Sequence, residues 1–119
     1  MKRILVAEDN KLILETIYRT LQRENYEVFK VVDGKECLDF LEENEVDLII
    51  TDLYMPVVNG HDVISILRND RNNKTPILVL SAAGAEDNVL KAFELGADDF
   101  MVKPFSLTEL NIRIQKLLR

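Results

Sequence analysis

Five polar residues of this sequence stand at the ends of apolar runs. Glu8 and Asp9 follow "RILVA" (3–7), Asp52 follows "VDLIIT" (46–51), Ser81 ends "PILVLS" (76–81) and Lys103 follows "DDFMV" (98–102). If these runs are neighbouring strands, three carboxylates, one hydroxyl and one amine converge on one edge of a sheet. A carboxylate on the end of a buried strand is costly to desolvate unless it is paired, metal-bound or wet. Two carboxylates about 4 Å apart repel by about 4 kcal/mol at an effective dielectric near 20, and a third adds to this. Raised pKa values, a nearby lysine or a divalent cation would relieve the strain.

The chain has one histidine and one cysteine, so the available ligands are oxygens, which suit a hard cation such as Mg²⁺ or Mn²⁺. Mg²⁺ keeps several waters and takes one or two carboxylates plus phosphate oxygens, so the site is suited to phosphoryl chemistry. Lys103 would add a positive point charge, and Ser81 could donate a hydrogen bond to a phosphoryl oxygen. Asp52 is then the candidate nucleophile, since a carboxylate can form an acyl phosphate. Taken singly, each residue has a plainer role. Asp9 or Asn10 could cap a helix, Asp52 could start a turn, Ser81 could cap one, and Lys103 could be solvated. Their convergence on one edge favours the metal-assisted phosphoryl site.

That convergence depends on the elements that carry the residues. Strand-like and helix-like segments alternate along the whole chain. After 3–7, Ile13, Leu14, Ile17 and Leu21 share a helical face, and Asn25 can end that helix in the left-handed conformation. "EVFKVV" (27–32) is the second strand, and Asp33 with Glu36 forms a capping box for a helix turning Cys37, Leu38 and Leu41 inward, which Asn44 can close. Beyond the third strand, Asn59 is the N-cap of a helix whose inner face is Val63, Ile64 and Leu67. A fourth helix runs from about Ala85 to Leu95 and stops at Gly96. The fifth opens with the capping box "SLTE" (106–109) and carries the stripe Leu107, Leu110, Ile114 and Leu117. Five strands alternating with five helices imply an α/β fold, a parallel sheet covered on both faces. In such sheets the ligand site lies beyond the carboxyl ends of the strands, where the strand order reverses.

Composition sets the outer limits. The 119 residues read as a single domain, 1–119, with a hydrophobic fraction of 47% and a charged fraction of 30%. No apolar run approaches the roughly 20 residues of a membrane span, nor does the N-terminus read as a signal peptide. A net charge of −6 argues against a grip on nucleic acid by this chain alone. The expected setting is cytoplasmic.

The segments "AEDN", "DLYMPVVNG", "LSA" and "GADDFMVKPF" resemble the successive motifs of response-regulator receiver domains of two-component signalling, over essentially the whole chain. The resemblance implies a doubly wound, flavodoxin-like sheet in the order 2-1-3-4-5. It implies that Asp52 accepts a phosphoryl group from a phosphohistidine on a histidine kinase or histidine phosphotransfer protein. By position, Asp9, Asp52 and the backbone carbonyl of Tyr54 would ligate Mg²⁺, with Glu8 acting through water. Lys103 would contact the phosphoryl group, with a cis peptide bond to Pro104, and Ser81 and the N–H of Ala82 would bind its other oxygens.

The resemblance also implies a switch. Ser81 would move toward the phosphoryl group and Phe100 would turn into the space behind it, reshaping the surface of the fourth helix, fifth strand and fifth helix. Two residues depart from the commonest pattern: Phe100 stands where tyrosine is frequent, and Ser81 where threonine is. Tyr54 and Ala83, each two residues past a site residue, should flank the route of attacking water and offer it no base.

Two rivals are weaker. A haloacid-dehalogenase-type phosphohydrolase needs an acid two residues after its nucleophile, where this chain has Tyr54. A flavodoxin-like binding module would set its ligand's phosphates against acidic strand ends and lacks a Gly-rich loop after the first strand. The expected role is regulatory, catalysing only its own phosphorylation and dephosphorylation. A standalone regulator and a piece of a longer one fit the sequence equally. Cys37 reads as a small buried hydrophobe, His61 as solvent-facing and unpaired, and Ile112 as lying off the core stripe.

Overall fold

Each apolar run becomes a strand of one parallel sheet, ordered β2-β1-β3-β4-β5, in a computed structural model that describes residues 1–119. The strands are β1 (Arg3–Ala7), β2 (Glu27–Val31), β3 (Leu48–Asp52), β4 (Ile77–Ala82) and β5 (Asp99–Lys103). The helices are α1 (Lys11–Arg23), α2 (Gly34–Glu43), α3 (Gly60–Ser65), α4 (Glu86–Leu95) and α5 (Leu107–Leu117).

Alternation along the strands splits the core in two. Leu5, Ile49, Ile77 and Val79 face one side and pack with Cys37, Leu38 and Leu41 of α2, Val63 and Ile64 of α3, and Ala92 of α4. Ile4, Val6, Leu48, Ile50, Leu78 and Leu80 face the other and pack with Leu14, Ile17 and Leu21 of α1 and Leu110 and Ile114 of α5. Ile49 and Ile50, neighbours in sequence, are both fully buried on opposite faces. Each such side chain contributes roughly 1.5–3 kcal/mol, so β3 is anchored from both sides.

The helix ends follow local chemistry, with some differences from the sequence reading. Asn25 is left-handed at φ 66° and Gly96 at φ 119°, as expected at the ends of α1 and α4. Asp33 accepts from the Glu36 N–H at 2.7 Å, but the Glu36 carboxylate returns to the N–H of Val32 rather than to the cap residue. Ser106 accepts from Glu109 N–H at 3.0 Å, whereas the Glu109 carboxylate turns along the helix to Arg113. That guanidinium, shared with Asp99, outcompetes a neutral N–H for the carboxylate. Leu107 is exposed and leaves the expected stripe.

After α3 the chain widens into a π-helical turn, Ile66–Asp70, closed by Arg71 N–H donating to Ile66 O at 3.0 Å. The turn keeps Leu67 buried while Arg68 reaches the carbonyls of Asn73 and Thr75, both at 2.8 Å, and that of Gly96 at 3.0 Å.

Two glycines let the loop after β3 close tightly. A Cβ on Gly60 would lie 2.4 Å from the carbonyl oxygen of Asp52, and one on Gly34 would lie 1.9 Å from that of Val58. Backbone stands where a side chain would go, so both positions demand glycine. The "NG" after "MPVV" thus has a steric cause: it seats the start of α3 directly on the end of β3.

Candidate functional site

The reversal of strand order falls between β1 and β3, and the polar residues gather there. Glu8 is the first residue past β1. Asp52 is the last residue of β3, opposite Leu80 of β4, and Lys103 is the last of β5, opposite Ala82. Asp52 and Lys103 are therefore inside their strands by one residue, where the sequence reading put them just beyond.

Lys103 Nζ donates to Glu8 Oε1 at 2.6 Å and to Asp52 Oδ2 at 3.0 Å. The second oxygen of Glu8 accepts from Asn10 N–H at 3.1 Å, and Asp52 Oδ1 from Tyr54 N–H at 3.3 Å. Asn10 is the N-cap of α1, accepting from the N–H groups of Leu12 and Ile13. It takes the capping role and leaves Asp9, which is exposed, to the site.

Carboxylate oxygens of Glu8, Asp9 and Asp52 all lie within 4.8 Å of one another. Glu8 is fully buried and Asp52 is 6% exposed. Burial, with the Asp52 charge beside it, pushes the Glu8 carboxyl above its ordinary range against the pull of Lys103 and the Asn10 N–H. Burial also works against the Lys103 charge, but its bonds to Glu8 and Asp52 outweigh this and hold the ammonium above its usual value. One lysine thus offsets part of the repulsion among three carboxylates. This all-oxygen donor set fits a hard divalent cation.

Ser81, one residue before the end of β4, is fully buried, and its Oγ has no hydrogen-bond partner in the protein. A buried donor left unsatisfied is costly, which sets this hydroxyl apart from the paired polar groups around it. Ala82 and Ala83 are exposed beyond it. The Lys103–Pro104 peptide bond is cis. Behind Ser81 lies a cavity of about 230 Å³ lined in part by Val89, Leu90, Phe93 and Phe100. Phe100 is half-buried and meets Phe93 edge-on at 5.9 Å.

The sequence of residues 4–115 matches the family described as the response regulator receiver domain. The chain belongs to this family. The receiver domain is 42% identical over 117 residues to the transcriptional regulatory protein PrrA of Mycobacterium tuberculosis, covering 98% of this chain and 50% of that protein. It is 39% identical over 118 residues to the alkaline phosphatase synthesis transcriptional regulatory protein PhoP of Bacillus subtilis, covering 99% of this chain and 49% of that one. The chain therefore spans about half the length of the curated relatives it matches. Among solved structures it resembles the receiver domain of the Francisella response regulator 1452, with a TM-score of 0.92 and 35% identity over 99% of this chain and 97% of that one. The chemotaxis response regulator CheY4 of Vibrio cholerae is similar at a TM-score of 0.91 and 31% identity, covering 99% of both chains. The phosphohydrolase and flavodoxin-like readings are not favoured by these likenesses.

One side chain of the receiver domain differs from the sequence reading, and another makes a contact that reading did not include. His61 is half-buried and paired, its Nε2 lying 2.8 Å from the carbonyl oxygen of Asn88. Tyr54 is 57% exposed, and its phenol oxygen accepts from the side-chain amide of Asn88. Neither contact has a sequence signal, since the partners come together only when α4 packs beside α3 and the loop after β3. Cys37 is buried and Ile112 exposed, as expected. No helix is long and apolar enough to cross a membrane.

Proposed function

We propose that this receiver domain takes a phosphoryl group from a phosphohistidine onto Asp52, and that a histidine kinase or histidine phosphotransfer protein supplies it. The single observation that carries the reading is the position of Lys103 Nζ, 3.0 Å from Asp52 Oδ2 within the cluster of carboxylates. In the step, an oxygen of Asp52 attacks phosphorus, the P–N bond to imidazole breaks, and the neutralised imidazole leaves with the partner.

Asp9, Asp52 and the Tyr54 carbonyl would hold Mg²⁺ or Mn²⁺, with Glu8 acting through water. The cation supplies charge neutralisation at the phosphoryl oxygens. Lys103 keeps its positive charge in the buried site and can turn from Asp52 to the incoming oxygens. Ser81 Oγ, unpartnered at rest, gains an acceptor, and the Ala82 N–H faces another phosphoryl oxygen. Tyr54 and Ala83 offer no base to a water approaching phosphorus, so decay of the acyl phosphate is not accelerated.

The switch follows from the same hydroxyl. When Ser81 moves toward the phosphoryl group it vacates volume next to the cavity bounded by Phe93 and Phe100, into which Phe100 can turn. The surface of α4, β5 and α5 is thereby altered for a protein partner. The phosphoryl group biases conformers that already exist. The domain is regulatory, and its only reaction is its own phosphorylation and dephosphorylation.

Incubation with acetyl phosphate and Mg²⁺ followed by intact-mass measurement tests the proposal. The parent gains one hydroxylamine-labile phosphoryl unit and Asp52→Asn gains none. Equal uptake by both would refute it.

A further inference from the structure

Helix α4 is weakly held at its start. Its N-cap, Ala85, makes no side-chain bond to the first turn, and only Val89 and Ala92 of the helix are buried. The cavity behind Ser81 lies along its inner face. Against this, both hydrogen bonds that tie Glu86–Leu95 to the loop after β3 and to α3 run to one residue, Asn88. Its amide Nδ2 donates to the Tyr54 phenol, and its carbonyl accepts from His61 Nε2 at 2.8 Å. The carbonyl can only accept, so His61 carries a proton on Nε2. The His61 bond fixes where the Asn88 backbone stands, and the side chain then fixes the Tyr54 ring.

Tyr54 begins at the phosphoacceptor, since its own N–H donates to Asp52 Oδ1 at 3.3 Å. Its ring is mostly exposed and has little packing of its own to hold it. A tyrosine so exposed samples several rotamers unless its tip is tethered. The Asn88 amide is that tether, and it spans from the loop after β3 to the first turn of α4.

We propose that Asn88 is a positioning residue. By holding the Tyr54 ring across the approach to Asp52, it couples the lifetime of the phosphoryl group to the position of the first turn of α4. The proposal rests on the phosphoryl transfer to Asp52 set out above. In the decay step, water attacks phosphorus, the P–O bond to the Asp52 carboxylate breaks, and inorganic phosphate leaves with the carboxylate restored. A tethered ring obstructs that water and an untethered one does so less. Coupling is reciprocal, so whatever clamps or displaces the start of α4 changes the decay rate as well.

The test uses the parent, Asn88→Ala, Tyr54→Phe and the double variant, each loaded with acetyl phosphate and Mg²⁺ and then stripped of donor. Loss of the phosphoryl unit is followed by intact mass. Each single variant should decay about two- to tenfold faster than the parent, the range spanned by one net hydrogen bond. The double variant should decay no faster than the faster single one, because both changes cut the same tether. Unchanged decay in Asn88→Ala, or rates that multiply in the double variant, would overturn the proposal. A second readout needs neither metal nor phosphoryl group: the aromatic NMR signals of Tyr54 should move toward free-tyrosine positions in Asn88→Ala. Signals that stay in place would also overturn it. If none of the four proteins takes up a phosphoryl group, the reading of Asp52 fails instead, and the Tyr54 signals still decide the role of Asn88.

Discussion

Lys103 and Glu8 lie 95 positions apart in the chain and meet at 2.6 Å. The pair closes the site from its two sequence extremes, since Glu8 follows the first strand and Lys103 ends the last. It also places the only ammonium of the site where it can reach Asp52 without leaving Glu8.

Removing that ammonium should be costly. Lys103→Met leaves Glu8 buried without its counter-charge beside two further carboxylates, and should lower stability by about 3 kcal/mol in metal-free buffer. Asp52→Asn should raise it, because one repelling charge is gone. Added Mg²⁺ should raise the parent's melting temperature by mass action and do so less in Asp9→Asn. Urea and thermal unfolding with and without chelator check all three.

Ser81→Ala should separate stability from function. The hydroxyl is buried without a partner, so its removal should stabilise the resting protein by about 1 kcal/mol. The same change should slow phosphoryl uptake about tenfold, since a hydrogen bond to a charged acceptor is lost. Urea midpoints and uptake from acetyl phosphate measure the two effects. A variant that is less stable and equally fast would contradict both.

The loop after β3 stores strain at one residue. Val57 is β-branched and 74% exposed, yet its φ is 71°, within the left-handed region. That conformation costs a branched residue about 1–2 kcal/mol, and little in the folded protein depends on its side chain for packing. Val57→Asn should therefore stabilise by about 1 kcal/mol, visible as a higher urea midpoint with an unchanged slope.

Cys37 should behave as a reporter of unfolding. Burial, with a smaller push from Asp33 and an opposing pull from Arg71, raises its thiol to about 12. The fold thus disfavours the thiolate. The associated stability is whole below the ordinary thiol pKa, about 8.5, and is lost as pH rises toward 12. At pH 8 a thiol-specific reagent should label the native protein very slowly and the urea-unfolded protein at the rate of a free cysteine. Rapid native labelling would show that the site opens locally.

The relation of sequence to structure divides along a physical line. Local chemistry was legible: Asn59 accepts from Asp62 N–H at 2.9 Å, Ser106 caps α5, and Asn25 and Gly96 end their helices in the left-handed region. Such features involve groups within about four residues, where chain geometry leaves few alternatives. The apolar runs of β1, β3 and β4 were legible as well, because a strand buried on both faces is apolar along nearly its whole length, with charge only at its ends. The strand order came from the family resemblance, not from periodicity.

Only the tertiary structure decided the partners that meet from afar. It paired Glu8 with Lys103, tied His61 and Tyr54 to Asn88, brought Arg113 to Asp99 and left Leu107 outside the core. Which polar groups come within 3 Å depends on how helices seat on a finished sheet. The hydrophobic pattern that drives the seating is nearly silent about the polar contacts it produces.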